Sequence, residues 1–547
     1  MSSRSPAWRR ALAALAAAAV MAGVAAAVLV AEPSVQAAER SRSKLRPDPL
    51  DIVRAPKKYA TSSRRHVILR TNRVELLQGT RVLDSMPLDG RRATLPAVAA
   101  AVARSSHPDW LAQPSRGVYL LRVALAQDRG TTLTVAAPAV AELRLLSQPE
   151  VYLVAVGAHG VYKGVSVTSW VEGRGRPDPN PKALRPFVLY GPGSVLEIER
   201  SRFGYLGTDR SRGAYGVSWE DATGKAIAST FHNNFFGVYT FESRDIAFVG
   251  NVFRDNALYG LDPHDYTTGL KVIANRAYHN GTHGIVFSVG VVDAVVRDNH
   301  SFANGANGIV MDQRSNRNLI TGNLVEGNKG DGIVLLGSSD VTVRGNEVRA
   351  NRVGVRVNLR SARNLIEHNL IQGNRRGIEL YGGARDTRMA HNQVIDSAVE
   401  GVAIEAPGSV STADTISGGP VGIEIRGLAH LRDTRITRVT QGIVVTPRGI
   451  ATVDNVSVEA SQAAVHVQPG GLARVDGSRL DAHEAFRGAA PRAARGNTII
   501  SSTSALPWLA MAGGAFLVLA VVLQVVHRSR NRAPDLTKEG SSAVNAS

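Results

Sequence analysis

Four side chains that could move a proton fall within one short string, Tyr259-Gly260-Leu261-Asp262-Pro263-His264-Asp265. Imidazole titrates near neutral pH, and here a carboxylate stands on either side of it. Pro263 carries no backbone N–H and breaks any strand ladder it joins. A sequence that accepts proline at such a place is shaping a site. The plainer alternative is an ordinary polar outer face.

The surroundings of this string repeat. A glycine followed by alternating apolar residues recurs at Gly237, Gly260, Gly284, Gly308, Gly332, Gly354, Gly377 and Gly401, at intervals of 22 to 24 residues. Two asparagine series keep step with it, one from Asn251 through Asn275, Asn299, Asn323, Asn346 and Asn369 to Asn392, the other from Asn256 through Asn280, Asn304, Asn328 and Asn351 to Asn374. Short β-branched runs such as Val341-Thr342-Val343 lie between Asn, Gly and Asp turns, with no room for a helix of normal length. Units of this size stack as a parallel β-helix, an all-β solenoid in which each coil pairs with the next. Asn is expected at turns because it tolerates the left-handed conformation and can bond to its copy one coil away.

The alternation sorts side chains. Counting from each glycine, residues one and three are apolar, as in Ile285 and Phe287 or Ile333 and Leu335, so they face inward. Residues two and four then face out. These outward positions hold Tyr239, Asp262, His264, Ser288 and Asp312 on successive coils. At about 4.8 Å per coil, the last four share one face within about 10–15 Å. Just before the glycines, Tyr259 and His283 form a similar neighbouring pair.

Composition narrows the partners. The chain has 547 residues and no cysteine, so disulfide scaffolds and thiolate chemistry are excluded, and its charge of +18 favours an anionic partner. Arg4, Arg9 and Arg10 precede an apolar run and the small-residue stretch Val35 to Ala38, so residues 1–38 read as an export signal. Residues 506–526 are apolar, uncharged and followed by arginines, which reads as a membrane-spanning helix with a cytoplasmic tail over 527–547. Between them, residues 39–115 read as an N-terminal cap or linker region with a helix over Leu95 to Ala112, residues 116–480 as the solenoid, and 481–505 as a linker. A single-pass membrane protein with its solenoid outside the cytoplasm has little use for nucleic acid, and an acidic polysaccharide becomes the expected partner. No metal-ligand spacing stands out, and no cofactor is expected.

The string at 259–265 resembles the signature of the mannuronan C5-epimerases of alginate biosynthesis, whose Tyr-Gly-apolar-Asp-Pro-His-acidic motif lies on a right-handed parallel β-helix. The resemblance extends over roughly residues 150–400, through stretches such as 251–260, 283–288 and 307–313, and is nearer to the periplasmic type than to the calcium-dependent secreted type. It implies that His264 is the base, that Asp262 and Asp265 orient it, and that Tyr259 delivers or relays the proton on the other face, or binds substrate where water delivers it. The family has an arginine after the serine, held to neutralise the substrate carboxylate, where this chain has Val289 and Gly290. Arg254, Lys271 and Arg314 are the cations that could replace it, with Arg254 preferred because it matches the family's coil; Tyr239, His283, Ser288 and Asp312 complete the expected substrate contacts. Three functions follow: a polyuronate C5-epimerase at the cell surface, a polysaccharide lyase of the same fold, or a non-catalytic glycan-binding β-helix working with exopolysaccharide synthesis or export machinery.

Overall fold

The structure, a computed structural model of the chain, describes residues 49–501 except 56, 58–62, 149–150 and 210–212. The sequence-based export signal (1–38) and membrane helix (506–526) therefore lie outside the described residues. Among the described residues no helix is long and apolar enough to cross a membrane.

Each coil of the solenoid contributes three short strands. In the coil that carries the proton-chemistry string these are Leu261–His264, Lys271–Ile273 and Arg276–Tyr278. Each pairs in parallel with its counterpart one coil away, giving three ladders, here called first, second and third in that order. The register holds without slip along the second ladder, where Val272, Val296, Ile320, Val343 and Ile366 stand opposite one another in turn. About 16 turns stack in this way. Towards the C-terminal end the third and first ladders fuse into long bent strands, Arg435–Val445, Ser457–Val467 and Arg479–Gly488.

The inward positions fill a single continuous core. Residues one and three of the first ladder are buried, as Ile285, Phe287, Ile333 and Leu335 show, and so is the middle residue of each three-residue strand in the other two ladders between residues 202 and 417. Phe203, Phe231 and Phe253 stack in consecutive coils at 5.7 and 5.4 Å between ring centroids. The repeating glycine has a steric cause. A β-carbon at Gly260 would stand 2.5 Å from the carbonyl oxygen of Gly284, and the same clash recurs at Gly284, Gly308 and Gly332 at 2.8 Å each or less. The coils approach too closely there for any side chain.

The asparagines form ladders of side-chain amides. Asn275 Nδ2 donates to Asn299 Oδ1 at 2.9 Å, Asn299 to Asn323 at 2.9 Å, and Asn323 to Asn346 at 2.9 Å. Each Oδ1 also accepts a backbone N–H from the preceding coil, and each Nδ2 also donates to a backbone carbonyl, as at Val272 for Asn299. Every valence of these buried amides is met. One expectation needs correction: the left-handed residue is the one before each Asn, such as Ala274 (φ 54), Asp298 (φ 57) or His368 (φ 55). The sharp turn is made one residue early so that the amide can point into the ladder.

A second column of left-handed residues follows the first ladder. It alternates in charge over successive coils: Asp293, Arg317, Asp340, Arg363 and Asp386. Arg317 pairs with Asp293 at 2.7 Å and Arg363 with Asp340 at 2.6 Å.

The N-terminal end is closed by a hairpin and a helix. Arg65–Arg70 pairs antiparallel with Arg73–Gln78 and parallel with Ala124–Gln127, so it covers the edge of the first ladder. The helix is shorter than expected, Leu95–Ala103, because the polar run to His107 and Pro108 ends it; a 3-10 turn and the strand Leu111–Ser115 follow. Thr94 caps it through Ala97 N–H at 3.3 Å, and Leu95, Val98 and Val102 join the core. At the other end the stretch from 481, read as a linker, still stacks: Thr498–Ser501 pairs with Arg479–Ala482, and Leu480 and Ala482 are buried beneath it.

Two stability predictions follow from the ladders. Asn299→Ala strands the Asn275 backbone N–H and one Asn275 amide hydrogen in the core, and should cost about 2–4 kcal/mol in chemical unfolding. The same ladder ends in Asp414, which accepts from Asn392 N and Nδ2 at 2.7 and 2.9 Å. Burial raises the Asp414 pKa, only partly offset by the bond from Ser411. A raised carboxyl pKa destabilises the fold as pH climbs from the unfolded value of about 3.9 through the folded one. Asp414→Asn should thus raise the unfolding temperature at pH 7 by roughly 2–4 °C, with the gain shrinking towards pH 4.

Candidate active site

The outer face of the first ladder carries three columns. The one just before the glycines holds Tyr259, His283, Asn307 and Asp331; the one two residues after holds Tyr239, Asp262, Val286, Val310, Val334 and Arg356; the one four residues after holds Phe241, His264, Ser288 and Asp312. These side chains point away from the main core, yet several are covered. Tyr239 and Asp262 are 3 % and 1 % exposed, which corrects the expectation of a solvent-facing cluster. Tyr215, Phe236 and Tyr239 pack together over the coils before the string, with ring centroids of Tyr215 at 4.6 and 4.7 Å from Phe236 and Tyr239. Val286, Val310 and Val334 pack as a separate apolar strip on the coils after it. The string therefore lies where an aromatic wall meets a valine floor.

Pro263 interrupts the ladder at this junction. The preceding coil pairs residue for residue from Val238 with Leu261 to Phe241 with His264. Towards the following coil only Leu261 with Ile285 and His264 with Ser288 pair. The chain then makes two consecutive left-handed residues, Asp265 (φ 28) and Tyr266 (φ 58). Such backbone persists for bulky residues only where the surroundings impose it.

This backbone brings Asp265 round to His264. The Asp265 carboxylate stands 3.2 Å from His264 Nδ1, and the Asp265 backbone N–H donates to the same nitrogen at 3.1 Å. With a proton on Nδ1 facing the carboxylate, Nε2 carries the lone pair of a base. With Nδ1 accepting from the N–H, the ring is in its other neutral tautomer and Nε2–H is a hydrogen-bond donor. One neighbour thus supports both neutral tautomers of the ring. Asp262 lies one residue position before Pro263 and accepts from Ser288 Oγ at 3.4 Å. Tyr239 stands beside the imidazole, its ring centroid 5.7 Å away.

Tyr259 stacks on His283 at 5.4 Å with the rings nearly parallel, and meets Phe236 on its other side at 4.9 Å. His283 Nδ1 accepts the Asn307 backbone N–H at 3.2 Å, which leaves the ring proton on Nε2. Burial, with a smaller contribution from the Arg356 guanidinium, pushes the His283 pKa down to about 4. His283 is consequently a neutral donor rather than a cation.

The three cations expected to serve a substrate carboxylate separate. Lys271 lies on the second ladder and Arg254 on the third, where Arg254 is bound to Asp255. Arg314 lies in the turn that leaves the first ladder two coils after His264, is exposed, and has no salt bridge with a described residue. Asp312, two residues earlier, accepts from Gln313 Nε2 at 3.1 Å. Sequence reasoning passed over a buried cluster further along the same face: Asp331, fully buried, with Arg356 and Arg352 at 2.8 and 2.9 Å. Reading the column before the glycines down to Asp331 would have found it.

Comparison with known proteins bears on the fold and the family resemblance. A family profile described as right handed beta helix region matches residues 188–348 and 293–416. A mannuronan C5-epimerase of Pseudomonas putida is 33% identical over 260 residues, which cover 44% of this chain and 49% of that protein. The mannuronan C5-epimerase AlgG of Azotobacter vinelandii is 30% identical over 275 residues, 47% of this chain and 51% of the relative. The chain spans about half the length of the curated relatives it matches. The crystal structure of the periplasmic alginate epimerase AlgG superposes with a TM-score of 0.50 at 22% identity, covering 76% of this chain and 85% of that one, and so shares the fold. The resemblance to the mannuronan C5-epimerase family, with its right-handed β-helix, is thereby shown.

The protonation state of His283 is directly measurable. Its ring signals in proton NMR should stay constant from pH 8 down to about pH 5 and move only near pH 4, whereas an ordinary histidine titrates near 6.5. A midpoint near 6.5 would mean that the ring is solvated and free to act as a cation.

Proposed function

We propose that this relative of the mannuronan C5-epimerases inverts C5 of uronate residues within an acidic, polymannuronate-like polysaccharide. The reading is carried by one observation: Tyr259, Asp262, His264 and Asp265 stand on a single coil, with Asp265 held against Nδ1 of the His264 ring.

The reaction needs three things. The C5–H bond lies next to a carboxylate, so its proton can leave to a base while the electron pair passes into an enediolate at C5 and C6. A cation must hold the carboxylate as that charge grows. A proton must then return to C5 from the opposite face, which restores the carboxylate and inverts the centre. His264 takes the first proton, and the imidazolium that forms is held by the Asp265 carboxylate. Tyr259 gives the second through its hydroxyl, with the neutral His283 stacked behind its ring. Arg314 is the cation. The single rigid ladder holds these groups at fixed spacing, which such a sequence of transfers requires.

The same reading places the solenoid outside the cytoplasm, exported by residues 1–38 and held by 506–526. The net charge of +18 suits a polyanion there.

Incubation of the protein with polymannuronate in heavy water should introduce deuterium at C5 without shortening the chain. His264→Ala should lower that rate at least 100-fold, and Arg314→Ala should lower kcat/KM at least tenfold with partial recovery in Arg314→Lys. Absorbance from an unsaturated uronate would instead show β-elimination and a lyase. Binding with neither signal would leave a glycan-binding protein.

A further inference from the structure

Tyr266 follows the catalytic string and is 57 % exposed, one of few large apolar side chains in the described residues left open to solvent. Its backbone is left-handed, a conformation that a tyrosine adopts only when held there. The ring is held by Gly290 on the next coil. A β-carbon on residue 290 would stand 2.9 Å from Tyr266 Cδ1 and 3.1 Å from Cε1, so the ring occupies the room that a side chain at 290 would need. The Tyr266 backbone N–H fixes it further by donating to Val289 O at 2.9 Å. Val289 stands where the resembled family carries its arginine, and Gly290 follows it. The missing charge and the ring packed beside it thus belong to one local arrangement.

We propose that Tyr266 is a stacking platform for the pyranose ring bonded next to the one held at His264, a reading that rests on the polyuronate function above. A pyranose presents a face of C–H bonds, each slightly positive, and an aromatic face is negative. Tyr266 lies two residues along the coil from His264, about one sugar away, and its open ring serves a neighbouring residue rather than the reacting one. Arg314 is in the next turn but one of the same column, and takes the carboxylate. The two contacts divide the work: charge at the reacting sugar, an uncharged stack at its neighbour. The neighbouring subsite therefore accepts a sugar whether or not that sugar carries a carboxylate.

The test uses the full chain and polymannuronate. In a His264→Ala background, which removes turnover, affinity is measured by titration calorimetry. Tyr266→Ala should weaken binding about tenfold, Tyr266→Trp should restore it, and the Tyr266-dependent part should persist in about 1 M salt, where the Arg314-dependent part is lost. Gly290→Ala should weaken binding by displacing the ring, and thermal unfolding shows whether each variant is folded. Equal affinity in Tyr266→Ala and its parent overturns the inference, as does a parent that does not bind, or a Tyr266 contribution lost in salt. Deuterium exchange by the protein with His264 intact is read separately. Turnover with Tyr266-independent binding removes the platform and leaves the epimerase; Tyr266-dependent binding without turnover removes the epimerase and leaves the platform.

Discussion

The buried amide ladder is the interaction on which the rest depends. An asparagine inside a β-helix turn is affordable only when all its donors and acceptors are met, and here each is met by its copy on the next coil. That requirement ties every coil to the same turn shape. Once the turns repeat, the strands repeat, and each outer residue inherits a place fixed by its distance from the nearest glycine. The outer groove is rigid because of hydrogen bonds that lie beneath it and never touch a substrate.

Against that uniform frame the site is built around one exception. Pro263 removes pairing from one coil. The left-handed pair that follows recurs after the first ladder at Val289 and Gly290, Gln313 and Arg314, and Leu359 and Arg360; here it turns the Asp265 backbone and carboxylate towards a single imidazole nitrogen. Elsewhere on the solenoid many cations are paired with neighbours, as Arg317 with Asp293 or Arg376 with Glu400. Arg314 is exposed beside the groove with its charge available. The valine strip and the aromatic wall flank the string without adding charge of their own.

Much of this was legible in the sequence because a solenoid repeats its steric needs. The glycine spacing records a close approach between coils, and the asparagine spacing records the amide ladder, so both show at every turn. The left-handed position was misplaced by one residue, since sequence alone shows which residue tolerates a turn and not which one must point inward. The string at 259–265 stood out because proline breaks the pattern. Burial did not: Tyr239 and Asp262 alternate outward as expected, yet lie under neighbours contributed by other coils. Nor did the sorting of cations, because Arg254, Lys271 and Arg314 are close in sequence while three different ladders or turns carry them apart. The C-terminal stretch looked like a linker because its small and charged residues hide the few inward positions, Leu480 and Ala482, that hold it to the coil below.

The alternating column of Asp293, Arg317, Asp340, Arg363 and Asp386 has a consequence for how such a protein can change length. Each exposed pair adds little stability. Removing one coil, however, would set aspartate beside aspartate or arginine beside arginine at the new junction. Removing two would restore the alternation. The surface charges thus act as a mild parity rule: over these turns a gain or loss of an even number of coils keeps every junction attractive, and an odd number leaves one like-charge junction.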